Sequence, residues 1–152
     1  MEREFSKKEK MNESYLRTAN ALYSHWRISN VEEKESLQCG GHSRLFETLI
    51  PDSYITRGES LNGKGHREHV VPCALIRCHS YSMFNDGHLI EDVAKMIEDN
   101  LIIIHITREE QNKIDVILGY KQTMPENWEF GKNVYERLDK ADIKFKLYEV
   151  NI

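Results

Sequence analysis

Four of the seven histidines in this 152-residue chain fall between His66 and His88, so the groups suited to metal ligation and proton transfer are concentrated in one stretch. Within it Glu68 and His69 stand side by side, followed by Val70-Val71-Pro72. A carboxylate is a hard oxygen ligand for a divalent cation, and an imidazole, with an unperturbed pKa of about 6.5, is a base at neutral pH. Such a pair has the means to activate water beside a metal-bound phosphate. Further on, Asn100 precedes an aliphatic run, and Gln111 and Asn112 offer amide oxygens just beyond it. Lys64, Arg67 and Arg77 make the neighbourhood of Glu68 locally basic inside a chain of net charge −4. That pattern suits contact with a phosphate backbone without reading of bases.

Elements must hold these residues. At 66–71, β-branched residues end at a proline that cannot sit in a central strand, which predicts a short strand. Leu101–Ile106 is rich in β-branched residues and bounded by polar ones, a pattern that predicts a buried strand over 101–106. Thr107 followed three residues later by Glu110 is a capping-box pattern, so a helix is expected over 108–118. Asn85-Asp86-Gly87 marks a turn, and Ile90, Val93, Ala94 and Ile97 give a helical stripe through Asp99.

Upstream, Met11, Tyr15, Ala19, Leu22 and Trp26 fall at steps of four, four, three and four and predict an N-terminal helix with one buried face. Gln38-Cys39-Gly40-Gly41-His42 reads as a turn, Leu45–Ile50 as a short helix ending before Pro51, and Pro51–Gly65 as a polar loop. Downstream, Met124–Trp128 reads as a loop that Trp128 anchors to the core, and Asn133–Ala141 as a short helix. Ile143, Phe145 and Leu147 then alternate with Lys144 and Lys146 as an edge strand. Residues 1–152 are accordingly expected to form one α+β domain.

Composition bounds the function classes. With 39% hydrophobic and 30% charged residues, 8 Gly and 3 Pro, the chain is an ordinary globular protein and not a low-complexity or collagen-like one. Its longest apolar runs, Cys73–Ile76 and Leu101–Ile104, are far short of the roughly 20 residues of a membrane span. Met1–Lys10 carries both charges and is followed by no apolar stretch, so a cytoplasmic location away from membranes is expected. A pI near 6.0 argues against a protein that coats nucleic acid with a uniformly basic surface. Three cysteines, Cys39, Cys73 and Cys78, cannot all pair within one chain and are expected to be reduced thiols. Together with His42 and His79 they have the donor types of a zinc site, but paired Cys-x-x-Cys knuckles are absent from the sequence and structural zinc is not expected.

Residues 65–115 resemble the HNH nuclease family, whose ββα-metal motif has an acidic residue and histidine before an aliphatic-aliphatic-Pro segment, then an asparagine, then a helix with the last metal ligand. Glu68-His69-Val70-Val71-Pro72 is similar to the first part, Asn100-Leu101 with its aliphatics to the second, and Thr107–Lys113 to the third. The resemblance implies a ββα-metal-like core in which His69 is the general base, Asn100 holds the base's loop, and Glu68 with Asn112 or Gln111 binds magnesium or manganese. It implies an endonuclease that hydrolyses nucleic-acid phosphodiesters, with DNA the expected partner and Lys64, Arg67 and Arg77 its contacts. The chain departs from the family in offering amides in place of the usual last histidine, and in the helix inserted between His69 and Asn100. The alternative reading keeps the scaffold without the chemistry: a weak or inactive HNH-like protein that binds a protein partner, as a phage or mobile-element factor. A zinc-stabilised binding module is a third reading, which metal stoichiometry and unfolding by chelator would reveal.

Overall fold

The computed structural model describes residues 3–31 and 44–149. The turn expected at Gln38–His42, with Cys39 and His42, lies outside the described residues. Among those described, seven α-helices and four strands make a mixed α+β architecture. They fall into two compact units, one from the N-terminus through Tyr54 together with Arg77–Asp99, the other from Ile55–Ile76 and Asn100–Glu149.

In the first unit, helix α1 (Lys7–Val31) buries Met11, Tyr15, Ala19 and Leu22, the stripe that its spacing predicts, and extends beyond that stripe at both ends. Helix α2 (Arg44–Leu49) stops two residues before Pro51, as expected of a chain approaching proline. Helix α3 (Asp52–Ile55) follows. Helix α4 (Cys73–Asn85), whose residues up to Ile76 belong to the second unit, has no regular apolar stripe to foreshadow it; it starts directly after Pro72, whose carbonyl accepts from the Leu75 and Ile76 amides. A proline tolerates that place because the first helical amides lack partners in any case. Tyr23 and Trp26 of α1 meet Phe84 of α4 with ring centroids 5.3 and 5.7 Å away, and the Trp26 indole donates to Asn85 Oδ1 at 2.7 Å. Helix α5 (Ile90–Asn100) buries Val93, Ala94 and Ile97, the expected stripe.

The second unit contains the sheet, with strand order β2-β3-β1-β4. Strand β2 (His66–His69) pairs antiparallel with β3 (Ile103–Ile106), with Glu68 opposite Ile104 and His66 opposite Ile106. Both strands are shorter than their sequence patterns predict, because Val70 and Val71 already turn toward Pro72 and Leu101 and Ile102 still lead in from α5. β4 (Phe145–Leu147) lies at a sheet edge, as its alternation predicts.

The expected loop Pro51–Gly65 is corrected, for it contains α3 and β1 (Thr56–Ser60), the latter paired parallel to β3 and antiparallel to β4. Thr-Arg-Gly-Glu-Ser carries little strand propensity of its own, and pairing on both sides overrides it. The local sign of this strand is Gly58, where a Cβ would lie 2.2 Å from the Lys146 carbonyl oxygen.

After β3 comes α6 (Arg108–Asn112), whose N-terminus is closed by the expected capping box: Thr107 Oγ1 accepts from the Glu110 amide and Glu110 Oε1 from the Thr107 amide. The helix expected to 118 instead widens to a π-helical turn over Lys113–Ile117, closed by the Leu118 amide on the Lys113 carbonyl. Helix α7 (Glu136–Lys140) is shorter than the expected 133–141 and buries Arg137 and Leu138.

Candidate functional site

Alternation along β2 sends His66 and Glu68 to one face and Arg67 and His69 to the other. Register places the first pair on the face of Ile104 and Ile106, both fully buried. Ser60 of β1 ties the sheet to α6 through its hydroxyl, which donates to Glu110 Oε2 at 2.9 Å. One carboxylate thus serves both the helix cap and the sheet.

Glu68 is 6% exposed, and its two oxygens are divided between two partners. Oε1 accepts from Arg137 Nη2 at 2.9 Å, and Oε2 lies 2.9 Å from His66 Nε2. Arg137, 1% exposed, also donates from Nε to the Val70 carbonyl at 3.2 Å, from Nη1 to the Tyr120 carbonyl at 2.6 Å, and from Nη2 to the His69 carbonyl. Burial pushes the Glu68 carboxyl up to about 7; the Arg137 charge pulls against that rise and Asp115 adds to it. Burial, then the Arg108 and Arg67 charges, lowers the His66 pKa, against an opposing pull from Asp115. The ring is therefore neutral at pH 7, and its contact with an ionised Glu68 requires the proton on Nε2.

Asp115 sits half-buried on the π-helical turn, and its charge bears on His66, Glu68 and Arg137 alike. Gln111, one turn earlier, donates to Asp115 Oδ2 at 3.5 Å and accepts from Arg108 Nη1 at 3.2 Å. Widened helical turns of this kind recur at functional sites.

Of the residues singled out by sequence, Glu68 stands at the centre of this cluster and Gln111 at its margin. Asn112 is exposed as the last residue of α6, while Asn100 is buried at the end of α5. His69 closes β2, half-buried, with its carbonyl on Arg137. Lys64, just before β2, and Arg67, on it, are exposed, and Arg77 belongs to the other unit. Sequence reasoning missed His66, Asp115, Arg137 and Arg108. The first two had a readable signal, since His66 is two residues from Glu68 on a strand and Asp115 four from Gln111 on a helix. Arg137 had none, being 69 residues from Glu68.

Among the described residues no three His, Cys, Asp or Glu side chains gather closely enough to hold a metal ion by themselves. Magnesium and manganese do not require that, because such ions keep several waters and take one or two carboxylates together with substrate phosphates. Glu68 and Asp115 are of the donor type such an ion takes, while both Glu68 oxygens are already engaged, Oε1 by Arg137 and Oε2 by His66. Cys73 and Cys78 are half-buried. No helix among the described residues is long and apolar enough to cross a membrane. Comparison of the chain with protein-family models, with curated proteins and with solved structures finds no match.

Proposed function

We propose that this protein is a divalent-cation-dependent nuclease of the HNH type, hydrolysing phosphodiesters of nucleic acid, DNA in the first instance. One observation carries the reading: the antiparallel pair β2 and β3 runs directly into a capped helix, with Glu68 and His66 on the face where the charge of Asp115 is felt. Strand, strand and helix in that order are what a ββα-metal core needs, with the inserted α4 and α5 as the departure.

Glu68 and Asp115 are the carboxylates that would hold the ion, with substrate phosphate and water completing its shell. Bound there, magnesium or manganese supplies Lewis-acid stabilisation of charge on the phosphate and the leaving oxygen. His69 is the base that the family resemblance implies for the attacking water; its side chain leaves β2 on the face opposite Glu68, so it would act from outside the Glu68–Asp115 cluster. Arg108, exposed on α6 and close enough to depress the His66 pKa, joins Lys64 and Arg67 as a phosphate contact. Asn100, buried where α5 hands over to β3, would hold the base's loop, the role that the family resemblance implies. Asp115 takes the last ligand position in preference to exposed Asn112.

Plasmid cleavage in magnesium or manganese tests this assignment. Asp115→Asn is expected to slow cleavage at least about tenfold, the smallest loss typical when a residue supporting a metal is removed. Asn112→Ala is expected to cut as wild type does. The reverse ranking would remove Asp115 from the site.

A further inference from the structure

The sheet has a second face, which the cluster around Glu68 does not use. Alternation sends Arg67 and His69 to it, and strand register carries the row through Arg67 across the whole sheet. Arg67 of β2 lies opposite His105 of β3, His105 opposite Glu59 of β1, and Glu59 opposite Lys146 of β4. Directly opposed residues project from the same face, so these four form one transverse line. Lys64, just before β2, reaches the same place: its Nζ lies 3.9 Å from one oxygen of Glu59, and Lys146 Nζ lies 3.8 Å from the other. Arg67 is exposed, as are Lys64 and Lys146, so the line meets solvent at both ends.

Ion pairs this long and this exposed contribute little to stability. What the arrangement supplies is charge. Lys64, Arg67 and Lys146 outnumber Glu59 and leave a local positive excess in a chain whose net charge is −4. Across the intervals between four strands the line is about 14 Å long. One strand of duplex DNA carries a phosphate for about every 3.4 Å of axis, so about four phosphates can face the line.

We propose that this row, formed by Arg67, His105, Glu59 and Lys146 together with Lys64, is the surface that holds the phosphate backbone of duplex DNA, with Lys146 a direct contact and Glu59 a carboxylate that moderates the affinity. The inference rests on the nucleic-acid part of the proposed function and on no bound cation. His69 leaves β2 on this same face, two residues from Arg67, so the backbone would lie beside the base that the family resemblance implies. Contacts of this kind position the duplex and read no bases.

The test is binding of a fluorescently labelled duplex in chelator, followed by anisotropy over a salt series, with circular dichroism and thermal melts for each variant. Lys146→Gln and Lys64→Gln are each expected to weaken binding at low salt, whatever the duplex sequence. Each should also flatten the slope of log affinity against log salt by about 0.9, the share of one phosphate contact. Either variant decides the matter if the other does not fold. Lys146→Arg should bind as wild type does, and Glu59→Gln should bind more tightly.

A row that served only the fold would behave differently: Glu59→Gln would lower the melting temperature and leave DNA binding unchanged, which would overturn the proposal. Lys95→Gln makes the same change of charge on α5 of the first unit, and an equal loss there would reduce the effect to net charge and overturn the row as a site. Plasmid cleavage in magnesium or manganese, measured in parallel, separates the two readings. Wild-type cleavage alongside lysine variants that bind and cut unchanged would overturn the row alone. Binding that responds to the variants as expected, without cleavage, would support the row and overturn the nuclease reading. Wild type that neither binds nor cuts DNA would overturn both.

Discussion

Glu68 is pulled in two directions, by a buried interior that disfavours its charge and by a guanidinium that favours it, and burial prevails. Its folded pKa of about 7 lies above the ordinary 4.5, so the folded state binds that proton more tightly than the unfolded chain does. The stability contributed is fully present below about 4.5 and is lost as pH rises through about 7. His66 acts in the opposite sense: its lowered pKa gives stability that is full above 6.5 and is lost as pH falls through the folded value. Glu68→Gln removes the first effect and keeps the second. Urea unfolding in chelator at pH 5 and at pH 7.5 should show wild type losing up to about 3 kcal/mol relative to the variant across that interval. Parallel pH dependences for the two proteins would mean that Glu68 does not titrate in this window. The sequence singles out Glu68 because it stands beside His69 before Val-Val-Pro, while the imidazole that meets it in the fold, His66, was not singled out. Arg137 was not either, because a tertiary ion pair leaves no local periodicity.

Elements were legible where burial imposes a period or a cap imposes a spacing. The α1 and α5 stripes and the Thr107–Glu110 box are local consequences of which side chains meet the core or close a helix, whereas burial does not follow the alternation from which β4 was read, Leu147 being 55% exposed. β1 escaped because its residues are polar and its strand character comes from β3 and β4 on either side. The π-helical turn escaped because one extra residue per turn changes no residue type. Gly58 offers a direct test of the β1–β4 pairing. Adding a methyl group at Gly58→Ala sets a Cβ against backbone, 2.2 Å from the Lys146 carbonyl, where no side chain can move aside. The substitution should cost about 1–3 kcal/mol in chemical denaturation, the usual range for overpacking. It should also speed hydrogen exchange at the Tyr148 amide, which donates to the Arg57 carbonyl across that pairing. Unchanged stability and exchange would contradict the close approach of the two strands.

At the scale of the whole molecule, a net charge of −4 leaves no general attraction for nucleic acid, so the proposed function requires a local binding site. Lys64, Arg67 and Arg108 supply positive charge around β2 and α6, near Glu68 of β2 and Asp115 of the π-helical turn that follows α6. The mixed α+β class was legible from the order of helical and alternating patterns. The division into two compact units was not, because the chain leaves the second unit after Ile76 and returns at Asn100 without any linker composition to mark the crossing. The nuclease reading stands on how the second unit arranges a few residues, and catalysis itself is its most direct test. Purified wild type, His69→Ala and Glu68→Ala, each shown to be folded by circular dichroism, would be incubated with supercoiled plasmid in magnesium, in manganese and in chelator. The account predicts cation-dependent nicking by wild type, abolished by chelator and reduced at least about 100-fold in both variants, the lower end of what a positioned proton-transfer group contributes. No cleavage with either cation, cleavage that persists in chelator, or an undiminished His69→Ala would contradict it.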